Sequence, residues 1–265
     1  MVPPIQRADH LGRPALMAAK KRVAKKPYAA KVSPALRARA RSVLARLEKA
    51  HPDWGPTLEF ADPLQLLVAT ILAAQARDER INEVTRTVVF PKYKTAADYA
   101  AAKLAVLERE LKPTGFFRQK AKAVQGAALA IVERFGGEVP GDMEGLVSLP
   151  GVGRKTASLV LANAFGVPAV AVDRHVARVA GRLGLTRQDD PEKIEIDLQA
   201  VFREPEWVKA TWCLVLHGRR ICNPTPKCPE CPAIDLCPYP KKTGAVSSAS
   251  RATLPRTKTT AAGRR

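Results

Sequence analysis

The chain has 265 residues, of which 46% are hydrophobic and 26% charged, and a formal net charge of +19. That length supports one large or two modest hydrophobic cores, so no disulfide or metal is needed merely to fold it. No apolar run reaches the roughly 20 residues of a membrane span, and the Pro-, Arg- and Lys-rich start has no apolar stretch closed by a small-residue cleavage site, so neither membrane insertion nor secretion is expected.

The charge is distributed unevenly. Residues 1–46 carry twelve Lys/Arg and one acid, Asp9, while residues 241–265 carry seven Lys/Arg and no acid, which leaves 47–240 with a net charge of only +1. Arms spanning 1–33 and 241–265, basic and rich in Ala, Pro, Ser and Thr, are expected to be disordered and to attract a polyanion without selecting a sequence. Solubilising tails without a partner have the same composition. An Arg-rich, acid-poor leader also fits import into an organelle; otherwise a cytoplasmic protein, nucleoid-associated in a bacterium, is expected.

From Pro34, the pattern ALRARARSVLARLEKA sets Leu36, Ala40, Val43, Leu44 and Leu47 on one helical face and begins the folded body. The next segment, DPLQLLVATILAAQA, offers Asp62 as N-cap and Pro63 as first helical residue, and its continuous apolar run predicts a central buried helix. Further helices are expected at about 79–89, 95–111, 117–135 (closed by Gly136-Gly137), 142–149, 155–165, 173–183, 191–202 and 205–217. No strand-like alternation competes with them, so the fold class is all-α, with loops at PK, KPTG, GGEVPGD and PGVG.

Four of the five cysteines fall within CNPTPKCPECPAIDLC: Cys222, Cys228, Cys231 and Cys237, spaced C-x5-C-x2-C-x5-C. Disulfides fit poorly, since nothing else suggests a small secreted domain. Four thiolates satisfy zinc, although zinc usually takes two C-x2-C knuckles set well apart and only one, CPEC, is present. One short loop wrapped around a compact body also suits a [4Fe–4S] cubane. Cys213, in the apolar run TWCLVLHG, is expected in the core.

The stretch LPGVGRKTA (149–157) mimics two nucleotide-binding motifs and satisfies neither. A phosphate loop needs Gly directly before Lys, where Arg154 stands, and a strand before the loop, where a helix is expected; the dinucleotide motif needs a third Gly, where Thr156 stands. What remains is helix, tight hairpin, helix, in which small residues allow close approach and the amides around Gly151, Val152, Gly153 and Arg154 face an anion such as a DNA phosphate.

The run LPGVGRKTASLVLANAFGVPAVAVDRHVARVAGRLGL, followed by LHGRRIC and the four-cysteine loop, resembles the endonuclease III family of helix-hairpin-helix, iron–sulfur DNA glycosylase/AP lyases over roughly residues 34–240. The resemblance implies two α-helical lobes with a DNA-binding cleft between them: a six-helix barrel at about 57–167 containing the hairpin, and a cluster lobe joining 34–56 to 168–240. It implies a [4Fe–4S] cluster on the four cysteines, although the first gap, NPTPK, is five residues where the family usually has six. It further implies removal of damaged bases, oxidised pyrimidines foremost, from double-stranded DNA by a monomer, and cleavage 3′ to the abasic site by β-elimination.

Lys155 and Asp173 match the family's catalytic positions. Their chemistry would be attack of the Lys155 amine on C1′ to give a Schiff base, with the Asp173 carboxylate stabilising positive charge on the sugar. A lysine acting this way is expected to have a depressed pKa, from partial desolvation and from Arg154 beside it. Otherwise Lys155 is a phosphate contact and Asp173 an N-cap. Gln75 matches the residue that fills the gap left by a flipped nucleotide, and Phe116 stands where the family often has an aliphatic wedge; a polar helix end and core packing are their plain alternatives. A monofunctional mismatch glycosylase of the same fold, which would lack the hairpin lysine, and a non-catalytic DNA-binding module with structural zinc are the rival functions.

Overall fold

A computed structural model describes residues 32–244; the basic stretches 1–31 and 245–265 lie outside the described residues. Within that span the regular structure is helical throughout: α1 (Pro34–Ala50), α2 (Pro63–Leu72), α3 (Asp78–Val84), α4 (Phe90–Lys92), α5 (Ala96–Ala101), α6 (Leu104–Leu111), α7 (Phe117–Phe135), α8 (Met143–Val147), α9 (Arg154–Ala164), α10 (Arg174–Arg182), α11 (Pro191–Val201) and α12 (Trp207–Arg220). No helix in it is long and apolar enough to cross a membrane.

Local chemistry sets the helix starts. Ser33, Asp62, Thr95, Asp142, Asp173 and Asp190 are N-caps whose side chains accept first-turn amides, and Pro34, Pro63 and Pro191 open their helices with a preset φ and no donor to lose. The expected helix at 95–111 is two helices. Ala102 turns extended after α5, and Gln125 Nε2 donates to the Ala102 carbonyl at 2.6 Å, giving the freed backbone a partner. The expected helix at 79–89 widens into a π-turn over Thr85–Val89, where the Phe90 amide bonds Thr85, before ending in the proline-containing α4. Helix α12 runs on through Gly218 to Arg220; a Cβ on Gly218 would lie 2.9 Å from His175 Cβ, so the glycine lets α12 pack closely on α10 instead of ending the helix.

Buried apolar side chains form two clusters. The first spans Leu66 to Ala169; α2 supplies Leu66, Leu67, Val68, Ala69, Ile71 and Leu72 to it and is buried nearly all round. The second joins Ala40, Val43, Leu44 and Leu47 of α1 to residues between Val170 and Ala233, including the fully buried Cys213. Each buried Leu or Val contributes about 1.5–3 kcal/mol, so α1 is held to α11 and α12 by its apolar face. Polar ties cross between the two sets of elements: Trp212 Nε1 donates to Asn163 Oδ1 at 3.2 Å, and Arg219 pairs with Asp78 at 3.2 Å.

Candidate active site

The hairpin between α8 and α9 rests on α7. Gly151 has φ +76°, and a Cβ there would lie 2.6 Å from Ala123 Cβ; a Cβ on Gly126 would lie 3.2 Å from Pro150 Cβ. Small residues on α7 thus form the seat, and only glycine meets both the left-handed backbone and the contact. Gly151→Ala is expected to cost about 2–4 kcal/mol, from the positive φ and the overlap together, read as a lowered midpoint in thermal or urea unfolding.

Gly153 caps α9 with extended backbone and no side chain, so no side chain takes the first amides of this helix. Gly151 and Gly153 are exposed, whereas Val152 is 5% exposed, packs in the first core and donates its amide to Leu149 O at 3.1 Å. Arg154 is also committed: its Nε and Nη2 bond the two oxygens of Glu195 at 2.6 and 2.9 Å, a two-point pair that ties α9 to α11. Lys155, the next residue, is exposed, with the Arg154 charge paired rather than bare beside it.

Asp173 is the N-cap of α10. Its Oδ1 accepts the amides of His175 and Val176, both at 2.8 Å, and its Oδ2 has no hydrogen bond among the described residues. One oxygen therefore fixes the carboxylate while the other is available, and Lys155 and Asp173 stand at the N-terminal ends of successive helices. Gln75 and Phe116 share a different property. They are the two non-glycine residues with positive φ among those described, at 54° and 46°, and both are exposed, Phe116 by 60%. Phe117, not Phe116, makes the core contact.

Cys222, Cys228, Cys231 and Cys237 line one small cavity together with Arg182, Lys227 and Lys242, so the five-residue first gap still brings Cys222 to the others. Among the described residues no group of three or more His, Cys, Asp or Glu side chains is arranged to hold a single metal ion. Burial pushes the Cys231 thiol up to about 11 and raises Cys237 as well. The loop backbone is laced by cations that the sequence analysis did not single out. Arg178 bonds the carbonyls of Cys222 and Gly218, Arg182 those of Asn223 and Pro224, and Arg39 those of Leu183, Gly184 and Leu236. The i, i+4 arginines of RHVARVAGR were the available signal. A buried imidazole pair lies behind Cys231: His51 Nε2 is 3.3 Å from His217 Nδ1, and His217 Nε2 is 3.6 Å from Cys231 Sγ. Burial pushes His217 down to about 4 and lowers His51, leaving both rings neutral at neutral pH.

Residues 68–204 match the family described as HhH-GPD superfamily base excision DNA repair protein. The chain is 48% identical over 202 residues to Endonuclease III of Synechocystis sp., covering 76% of this chain and 92% of that one, and 44% identical over 182 residues to Endonuclease III of Bacillus subtilis, covering 68% and 83%. It belongs to the endonuclease III family. Among solved structures, a trapped Endonuclease III–DNA covalent intermediate superimposes with a TM-score of 0.73 at 40% identity, covering 77% of this chain and 96% of that chain. Members of the endonuclease III family generally carry an iron–sulfur cluster. Their activity in base excision repair is that of a DNA glycosylase and AP lyase, and DNA is the substrate.

Proposed function

We propose that this member of the family excises damaged bases, oxidised pyrimidines foremost, from double-stranded DNA and cleaves 3′ to the abasic site through a Schiff base on Lys155. The supporting observations are an exposed Lys155 in the first turn of α9 and an Asp173 that caps α10 through one oxygen while the other has no hydrogen bond among the described residues. A base inside a duplex must leave the stack to be reached, and lesions that weaken stacking flip at lower cost. As the base departs, positive charge grows on the sugar, and the Asp173 carboxylate stabilises it. The neutral Lys155 amine bonds C1′ as the C1′–base bond breaks, the base leaving with the proton the amine gives up, and protonation and opening at O4′ convert the adduct to an iminium; on an abasic site the same iminium forms from amine and ring-opened aldehyde with loss of water. The iminium acidifies C2′ so that the 3′ phosphate leaves by β-elimination.

The DNA lies in a cleft between two lobes, a barrel lobe at about 57–167 and a cluster lobe formed by 34–56 and 168–240. The separation of buried side chains into two clusters with α1 in the second supports this division. Gly151 and Gly153 turn the hairpin amides towards a phosphate, with the open N-terminus of α9 favouring the negative charge. Gln75 and Phe116 enter the duplex at the flipped nucleotide; their exposure and left-handed backbone, a conformation that costs about 1–2 kcal/mol in a non-glycine residue, support that role.

Cys222, Cys228, Cys231 and Cys237 would hold a [4Fe–4S] cluster. The donor set fits: four thiols face one cavity, and Arg182, Lys227 and Lys242 on its wall offset the negative charge of thiolate ligation. When bound, the cluster crosslinks the loop that follows α12. Aerobically purified protein is expected to contain about four iron and four sulfide per chain with a visible absorption band, and Cys231→Ala to lose most of that iron. The function itself is tested with duplexes carrying one oxidised pyrimidine or one abasic site. A 3′ unsaturated aldehyde product is expected, and base release without strand cleavage would instead indicate a monofunctional enzyme.

A further inference from the structure

Lys120 is buried in the first turn of α7, only 4% exposed, and among the described residues no carboxylate pairs with it. Its Nζ donates to the Thr114 carbonyl at 2.7 Å, while its own backbone amide donates to the Phe116 carbonyl at 3.1 Å. One residue thus spans the step Gly115-Phe116 with two hydrogen bonds. Both residues of that step have positive φ, +68° and +46°, and Phe116 is in the left-handed helical conformation. Glycine adopts this readily; phenylalanine does so only where its surroundings hold it. Thr114 forms the other fixed end, buried and donating its hydroxyl to Leu111 O at 2.8 Å.

We propose that Lys120 is the positioning residue that presents the Phe116 ring to DNA. The inference rests on the reading of Phe116 as the residue that wedges into the duplex. A wedge must stand ready before the bases part, because a ring that first has to be ordered gives up part of its binding free energy to that ordering. The Lys120 ammonium keeps the Thr114 carbonyl in place at the end of the turn Lys112–Thr114. Without it that buried carbonyl has no partner, the Gly115-Phe116 step relaxes, and the ring loses its direction. Burial lowers the pKa of Lys120, consistent with an amine enclosed by protein and held through a carbonyl instead of an acid.

The test is a double-mutant cycle on the cluster-loaded enzyme, with a duplex carrying an oxidised pyrimidine for kcat/KM and a duplex with 2-aminopurine opposite an abasic-site analogue for stacking. Phe116→Ala and Lys120→Met are each expected to lower kcat/KM about tenfold, mainly through KM, and to abolish the fluorescence change on binding. The double variant is expected to be no worse than Phe116→Ala alone. Lys120→Gln, which keeps a donor without the charge, is expected to recover part of both signals, and it carries the cycle if Lys120→Met does not fold. Losses that multiply in the double variant, or a Lys120 variant with wild-type fluorescence, overturn the positioning role while leaving Phe116 as the wedge. Wild-type behaviour of Phe116→Ala would instead remove the wedge reading, and the role of Lys120 with it.

Discussion

Lys155→Ala is expected to abolish borohydride trapping on DNA containing an abasic site and to lower strand cleavage by at least about 10³-fold, because the proposed mechanism draws the amine that bonds C1′ from Lys155. The fold should be unaffected. Lys155 is exposed at the second position of α9, where alanine is the better helix former, so the change in unfolding free energy is expected within about 0.5 kcal/mol. This combination separates the nucleophile from a phosphate contact. A lysine that only touched phosphate would, when removed, weaken binding and reduce the salt dependence of affinity by about one counterion, leaving trapping intact at saturating protein. Covalent capture persisting at full strength in the alanine variant would place the nucleophile elsewhere. Trapping of the wild-type protein and its loss in the variant, measured with an equal iron content in both, would fix the amine to this position.

Much of the fold was legible because its determinants are local. Asp62-Pro63 fixes the start of α2 through one side-chain bond and one preset φ, and Gly136 closes α7 at φ +62°. The spacing of Leu36, Ala40, Val43, Leu44 and Leu47 requires a partner for one face of α1, and the second core provides it. The breaks depend on distant chain. Nothing in AADYAAAKLAVLEREL announces that Ala102 turns extended; the compensating donor is Gln125, 23 residues away on α7. The π-turn at Thr85–Val89 is similar, with Pro91 as the one local hint.

The candidate site divides along the same line. The four cysteines point to a metal centre through residue type and spacing, whereas Lys155 and Asp173 stand out as catalytic candidates only through the family resemblance, since a phosphate contact and an N-cap fit the same letters. Gln75 and Phe116 were visible only as positions within a family pattern, and their left-handed backbone is a property of the folded chain. Arg154 looked like a free cation beside Lys155 and is joined to Glu195, 41 residues on. Lys120 and the His51–His217 pair could not be read at all. A buried lysine and a surface lysine are the same letter, and His51 meets His217 only because α1 packs against α12.

Asp173 provides the second large effect, and its two oxygens predict a split between two substitutions. In Asp173→Asn the remaining carbonyl oxygen can still accept the amides of His175 and Val176, so the cap on α10 survives and the stability loss is expected below about 1 kcal/mol, largely the lost attraction between carboxylate and helix dipole. The charge is gone, and base release from an oxidised pyrimidine is expected to fall about 10²–10³-fold, since stabilisation of a developing cation by a fixed carboxylate acts only in the transition state. Asp173→Ala removes cap and charge together, with a further stability loss of about 1 kcal/mol and base release no faster than in the asparagine variant. If capping were the whole role, asparagine would be nearly as active as wild type and only alanine impaired. The ranking of three proteins in one assay, with unfolding measured alongside, therefore decides between a structural carboxylate and a catalytic one that also uses its second oxygen to hold itself in place.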